Sequence, residues 1–406
     1  MIKYLSSQSL KKFSGKTCLL RIDLNVELGM PIDSYRLEAV VPTIKLLLKN
    51  NVRVILMSHR GRPKGFDKEL SLKPFASIFA RKLGVPVHFI STLDLVEARK
   101  EIMQSDDKMF LLENLRFWPG EESNDLAFAR QLASVGDFYP HTKRGSAPAA
   151  SDCKNPRYDV GVYVNDAFAV SHRADASIAA ITKFLPSYAG LLLEKEIKNL
   201  DRVMKDGKHP LTVIIGGAKV SDKLGVVRYF WKRADDFLIG GSPANTFLEA
   251  EGMNVGDSLI DTDAVPMILP YLNAHKIHLP EDVKYQSTKI LDVGPKTVKE
   301  YTEIIRGSKM IIWNGPMGWF EHKEFGNGTK GIWKAVLGNK KAHIVVGGGE
   351  TVSSARLIPN SKFQIPNSRN IFLSTGGGAM LEYLSGRKLP GLEALKKSYK
   401  TKKYER

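Results

Sequence analysis

A chain of 406 residues, 43% hydrophobic and 25% charged, is long enough for two or three cored domains and excludes disordered, collagen-like, coiled-coil and disulfide-scaffold architectures. Its two cysteines, Cys18 and Cys153, form no C-x-x-C site and suit a reducing compartment, so a cytoplasmic location is expected. The formal net charge of +17 favours anionic partners, although +6 of it falls in the last twenty residues, Arg387 to Arg406, as suits a solvated tail.

At the start, Met1 to Lys16 holds four lysines and four serines without an acid, but it lacks arginine and leads straight into a strand-like run, so no import signal is expected. The best apolar stretch, Ala39 to Leu48, is short and broken by Pro42 and Lys45, so no membrane span is expected. Thereafter short β-branched runs alternate with amphipathic stretches, the pattern of parallel-sheet α/β folds. The strands expected are Thr17 to Asp23, Val52 to Ser58, Lys108 to Leu112, Val160 to Asn165, Leu211 to Gly216, Asp236 to Gly240, Met310 to Trp313, His343 to Gly347 and Ile371 to Ser374. Helices are expected at Pro42 to Asn50, Lys73 to Leu83, Leu126 to Val135 and Lys219 to Lys232. Pro140 to Arg157, rich in Pro, Ala, Ser and basic residues, reads as an exposed loop. This is an α/β chain of two doubly wound parallel-sheet, Rossmann-like domains, joined by a hinge helix: residues 1–187, the helix at 188–205, then 206–386, with a basic tail at 387–406.

Ligands of such folds bind beyond the carboxyl ends of the strands. In the first half those ends carry Asp23 and Asn25, then His59 to Arg62, then Glu113 to Arg116, then Asn165 and Asp166 with His172 and Arg173. Arginine forks pair bidentately with phosphate and remain charged at any working pH, so Arg36, Arg62, Arg116 and Arg173 with His59 and His172 suit a small, multiply anionic ligand. In the second half the strands end in glycine, at Gly216-Gly217, Gly240-Gly241, Asn314-Gly315-Pro316, Gly347 to Gly349 and Gly376 to Gly378. Glycines there admit backbone N–H groups to phosphate oxygens. Lys219 and Lys223, at helical spacing, are expected to face the same polyphosphate. Gly326 to Gly331 spells G-x-G-x-x-G but follows no strand, so it lacks the context of a dinucleotide fingerprint. P-loop, zinc-protease, hydrolase and protein-kinase motifs are missing.

The chain resembles the phosphoglycerate kinase family in Arg21 to Val26, His59 to Gly65, Leu112 to Phe117 with Pro119 to Glu122, Tyr163 to Phe168, His172 to Ala174, Gly216 to Asp222, Asp292 to Thr297, Trp313 to Gly318, Gly347 to Gly349 and Ser374 to Ala379. The resemblance implies reversible phosphoryl transfer between 1,3-bisphosphoglycerate and ADP, giving 3-phosphoglycerate and ATP, in glycolysis and gluconeogenesis. It implies that Asp23, Asn25, Arg36, His59, Arg62, Arg116, His172 and Arg173 bind the phosphoglycerate. It further implies that the nucleotide contacts Gly217, Lys219, Lys223, Gly240, Gly241, Asn314, Pro316, Trp319, Glu321, Gly348, Gly349, Glu350 and Thr351, with Mg2+ beside Glu350. Arg36, Lys219, Gly376 and Gly377 are the implied contributors to catalysis, and the tail is implied to return to the first domain.

Three departures stand out: Glu350 where the family usually has aspartate, Trp319 where a small aliphatic residue usually meets the adenine, and Gly240-Gly241-Ser242 in place of three glycines. The segment Phe138 to Gly161 is about twenty residues longer than the family pattern. Intact Arg36, Lys219 and Lys223 favour an active enzyme over a non-catalytic binding or scaffold relative. Basic residues dispersed over loops speak against nucleic acid as a partner, and a monomer is expected.

Overall fold

The computed structural model describes residues 1–6, 10–26, 31–136, 161–359 and 370–398. It divides into two units, Met1–Lys195 with Lys388–Arg406, and Glu196–Arg387. Among the described residues no helix is long and apolar enough to cross a membrane.

The first unit is built on β1 (Thr17–Arg21), β2 (Arg53–Met57), β3 (His88–Ile90), β4 (Met109–Leu112), β5 (Val162–Asn165) and β6 (Ser187–Ala189). They form one parallel sheet in the order β3-β4-β2-β1-β5-β6. At its centre Leu20 of β1 is flanked by Leu56 of β2 and Val164 of β5. All five residues of β1 are buried, as expected of a strand covered on both faces. The chain leaves β1 to build one side of the sheet and later builds β5 and β6 on the other, so the order reverses between β1 and β5. Such a reversal opens a crevice at the carboxyl ends of those strands.

The second unit repeats the plan with β7 (Leu211–Ile215), β8 (Asp236–Ile239) and β9 (Ile277–His278), an antiparallel hairpin of β10 (Val283–Gln286) and β11 (Lys289–Val293), then β12 (Met310–Asn314), β13 (His343–Gly347) and β14 (Ile371–Leu373). Its six-stranded parallel sheet runs β14-β13-β12-β7-β8-β9, so the reversal lies between β7 and β12. Trp313 on β12 and Trp333 on the helix Asn327–Gly338 pack with ring centroids 4.6 Å apart, and both are fully buried. Their indole N–H groups are satisfied by Gly315 O and Ser354 Oγ, each at 2.8 Å.

All nine expected strands form, most of them a residue or two shorter than the apolar runs suggest. The strands not foreseen are β3, β6 and β9, each at a sheet edge, and the hairpin. A strand of two or three residues carries too little alternation to be read. Two helices differ from expectation. That placed at Pro42 begins at Pro31 and continues to Lys49 with Pro42 on its exposed side. That placed at Lys219 to Lys232 is confined to Leu224–Phe230.

The helix Leu191–Lys205 contains the boundary between the units. Buried Asp166, just after β5, accepts from the Leu193 amide at 3.0 Å, and a Cβ on Gly190 would stand 2.2 Å from its Oδ1. The motif aspartate thus anchors the start of this helix. The helix Pro390–Lys397 belongs to the first unit, where the Gly391 amide donates to Ser171 O at 2.9 Å. The loop read at Pro140 to Arg157 lies outside the described residues.

Candidate active site

The basic rim of the first unit is assembled around His59, which follows β2 and is 2% exposed. Beneath it lies Arg21, the last residue of β1 and fully buried. The Arg21 guanidinium donates to Ser177 Oγ at 2.8 Å and to Ile22 O at 2.5 Å, and its Nη2 faces His59 Nδ1 at 3.3 Å. Buried Glu121 stands 3.7 Å from the same Nη2 and accepts from both the amide (2.9 Å) and the hydroxyl (2.5 Å) of Ser177. Burial raises the Glu121 carboxyl, and Arg21 opposes the rise. Because a guanidinium can only donate, His59 Nδ1 must accept and the ring hydrogen sits on Nε2. Burial first, then Arg21, Arg116, Arg173 and Arg36, push the imidazole well below its usual range. His59 is therefore a neutral donor in a field of cations.

Around it, Arg36 from the helix Pro31–Lys49 donates to Asn25 O at 3.1 Å and lies 3.6 Å from Asp23 Oδ2. Asp23 Oδ1 accepts from the Asn25 amide at 3.0 Å, and Asn25 Oδ1 accepts from the Gly61 amide at 2.9 Å. Asp23 thus spends part of its capacity bracing its own loop after β1, and Asn25 fastens that loop to the loop after β2. Fully buried Asn114 does the same between β2 and β4, accepting from the Arg60 and Arg116 amides and donating to Arg60 O and Leu70 O. Arg116 donates to Gly61 O at 2.5 Å and meets Glu122 at 3.2 Å, and Arg173 meets the same Glu122 oxygen at 3.5 Å. His172 is half-buried beside Arg173, and Arg62 is exposed. Arg21, Glu121, Glu122 and Ser177 were missed by sequence reasoning. A charged residue closing the buried run Thr17–Arg21 was the available signal for the first of them.

On the glycine rim of the second unit the glycines do two different jobs. Gly216 and Gly315 bring the ends of β7 and β12 into backbone contact: a Cβ on Gly315, whose φ is +96°, would lie 2.0 Å from Gly216 O. A Cβ on Gly216 would lie 2.1 Å from Pro316 O. Gly217, Gly240 and Gly241 likewise face Gly315, Met317 and Gly217 across the same seam. Among the described residues nothing would come within 4 Å of a Cβ added to Gly349, Gly377 or Gly378, which leaves their backbone open to a ligand. Gly376 is engaged, since its amide donates to Ser374 Oγ at 3.0 Å.

The two lysines do not share a helix face. Lys219 is exposed and precedes the helix, whereas Lys223 is 7% exposed and donates to Lys219 O at 2.8 Å. Burial lowers the Lys223 ammonium, opposed by Asp222, Glu350 and Asp261. Lys223, Asn314, Gly348, Gly349, Glu350 and Thr351 line a cavity of about 670 Å³. The Thr351 hydroxyl accepts from the Gly315 amide at 2.7 Å and so braces the seam. A second cavity of about 340 Å³ is lined by Gly217, Pro316, Trp319, Glu321 and again Glu350. Trp319 is 43% exposed and meets His322 with ring centroids 3.5 Å apart and the planes tilted by 42°. Asp292, after β11 begins, was not foreseen as a site residue: it accepts from the Gly328 and Val293 amides at 2.8 and 2.9 Å, and burial raises its carboxyl to about 7.

The model of one family, phosphoglycerate kinase, matches residues 8–141 and 156–387, leaving a gap inside the Pro140 to Arg157 segment. The chain is 39% identical to phosphoglycerate kinase of Thermomicrobium roseum over 405 residues, covering 93% of this chain and 95% of that one. It is 39% identical to phosphoglycerate kinase of Moorella thermoacetica over 413 residues, covering 95% and 97%. Among solved structures, phosphoglycerate kinase from Pyrococcus horikoshii OT3 superposes with a TM-score of 0.79 at 30% identity, covering 98% of each chain. That from Coxiella burnetii gives 0.75 at 29% identity, covering 97% of this chain and 99% of the other.

Proposed function

The chain belongs to the phosphoglycerate kinase family and has its activity, reversible phosphoryl transfer between 1,3-bisphosphoglycerate and ADP; we propose that the basic rim of the first unit holds the phosphoglycerate and the glycine rim of the second holds the nucleotide. The observation that carries this division is the state of His59, an imidazole held neutral by its burial and then by the guanidinium groups of Arg21, Arg116, Arg173 and Arg36, which face the carboxyl groups of Asp23, Glu121, Glu122 and Asp175. Such a cluster of guanidinium groups around a neutral N–H donor offers a multiply anionic ligand several charge-assisted hydrogen bonds.

Transfer breaks the bond from the C1 carboxyl oxygen to phosphorus while the β-phosphate oxygen of ADP forms a new one. The leaving group is a carboxylate, which departs without a proton, so no general acid is required and a neutral His59 suffices as a hydrogen-bond donor. Catalysis then rests on positioning and on charge stabilisation. Arg36, whose buried Nε has no partner among the described residues, is assigned to the acyl phosphate of the phosphoglycerate, and Lys219 and Gly377 to the terminal phosphate of the nucleotide. Arg62, Arg116, His172 and Arg173 fix the phosphoglycerate. The seam of Gly216, Gly217, Gly240 and Gly315 is assigned to shaping the nucleotide site rather than to direct phosphate contact.

Glu350 suits a magnesium ion, because its carboxylate lines both cavities beside Lys223 and magnesium is commonly held by one or two carboxylates plus substrate phosphates. Bound there, the ion would neutralise charge on the nucleotide phosphates. We take the chain as a cytoplasmic monomer, since a single chain supplies both rims. A coupled assay for ATP formation from ADP and 1,3-bisphosphoglycerate tests the reading. Folded protein with no turnover above a no-enzyme control would overturn it.

A further inference from the structure

The helix Gly241–Ala250 contributes Ser242 and Asn245 to the cavity of about 340 Å³, and their three-residue spacing puts them on one face of the helix. They are 6% and 3% exposed. Each is held in place by one hydrogen bond: the Ser242 amide donates to Gly217 O at 2.9 Å, and Asn245 Nδ2 donates to Leu259 O at 3.2 Å. What remains of each is a polar atom with no partner among the described residues, Ser242 Oγ and Asn245 Oδ1. Buried polar atoms are rarely left in that condition. The rest of the lining includes apolar Leu259, Val283, Ile290, Val293 and Met317. An apolar cavity with two fixed polar atoms on one wall matches the requirements of a heteroaromatic base.

We propose that these two atoms read the six-position of a purine, Asn245 Oδ1 accepting from the exocyclic amino group of adenine and Ser242 Oγ donating to the adjacent ring nitrogen. The proposal rests on the assignment of the nucleotide to the second unit. It makes Ser242 and Asn245 specificity-determining residues. Hypoxanthine and guanine carry a carbonyl oxygen at the same position, which would set one acceptor against another, while the phosphates would be held as before. The cost of that mismatch is one buried hydrogen bond, about tenfold in affinity.

Titration calorimetry on the full-length chain with ADP, IDP and GDP tests the proposal, with coupled turnover measured in parallel. The unsubstituted protein is expected to bind ADP about tenfold tighter than IDP or GDP. Asn245→Leu, which removes the acceptor facing the six-position, should reduce that ratio to about threefold, and Ser242→Ala with Asn245→Leu should bring the three nucleotides within about twofold. Equal affinities for ADP and IDP in the unsubstituted protein would overturn the proposal. So would variants that weaken all three by one factor, the outcome if the two atoms hold only a buried water. Failure of every nucleoside diphosphate to bind folded protein, with no turnover, would instead overturn the nucleotide assignment and this proposal with it.

Discussion

The two units share a six-stranded parallel sheet and a single reversal of strand order, yet they treat the crevice at that reversal in opposite ways. The first fills it with charge: Arg21 and Glu121 are fully buried, and Arg116 and His59 nearly so. The second empties it of side chains, letting the loops after β7 and β12 touch through Gly216 and Gly315. A side-chain site tolerates variation in backbone but depends on many hydrogen bonds to hold long side chains still. A backbone site needs few partners but allows almost no Cβ. The first kind binds a ligand through its total charge, the second through the shape and hydrogen bonds of the cavity.

The largest expected effect breaks the charged rim. Arg36→Ala should lower turnover by roughly 10²- to 10³-fold, as removal of a group placed on the transferring charge commonly does. Arg62→Ala, at an exposed position, should cost about tenfold or less and mainly raise the KM for 3-phosphoglycerate. Steady-state kinetics in both directions checks this, and equal losses would remove Arg36 from its assigned place.

The glycine rim breaks differently. Gly315→Ala combines a positive φ with a backbone clash and should cost about 3 kcal/mol of stability or more, whereas Gly349→Ala, facing open space, should cost less than about 1 kcal/mol. Denaturant melts of the two variants measure the contrast. A tolerated Gly315→Ala would show that the seam yields and that its glycine serves the ligand.

Each unit also buries one carboxyl raised to about 7 by desolvation, Asp166 in the first and Asp292 in the second. A folded-state pKa above the unfolded value keeps the native carboxyl protonated while the unfolded chain ionises. The associated stability is fully present below about pH 4 and is lost as pH rises toward about 7. Relative to Asp166→Asn, which can still accept from the Leu193 amide, the unsubstituted chain should lose on the order of 4 kcal/mol between those limits and no more above them. His59, depressed in the folded state, acts in the opposite direction: its contribution is present above pH 6.5 and is lost as pH falls below that. Unfolding free energies across pH 4 to 8 check both signs.

Two smaller effects sharpen the contrast. Glu350 is the acid that lines both nucleotide cavities, so Glu350→Ala should raise the magnesium requirement about tenfold while Glu350→Asp retains activity, read from turnover against free magnesium. Unchanged magnesium dependence in the alanine variant would mean a carboxylate turned to solvent. Raising ionic strength should weaken 3-phosphoglycerate binding severalfold, and more than it weakens binding of the nucleoside moiety, because only the first rim works through net charge. A titration series in salt compares the two, and parallel slopes would contradict the distinction.

Much of this was already legible in the chain. Nine buried runs announced their strands, because a parallel strand covered on both faces must be apolar throughout. The residues just past each run announced the two rims, because an α/β sheet presents its strand ends to the ligand. The tertiary structure alone decided which glycines lie open and which touch each other, since Gly216 and Gly315 are about a hundred residues apart and meet only when β7 and β12 pair. It also parted Lys219 from Lys223, because the helix begins only at Leu224 and the buried ammonium turns back onto a carbonyl. The pairing of Arg21 with Glu121 and Ser177, the tautomer of His59 and the two unpartnered atoms of Ser242 and Asn245 were likewise out of reach. Periodicity and local propensity report what a residue requires of its own segment, whereas the partner that satisfies a buried polar group is brought by another part of the chain.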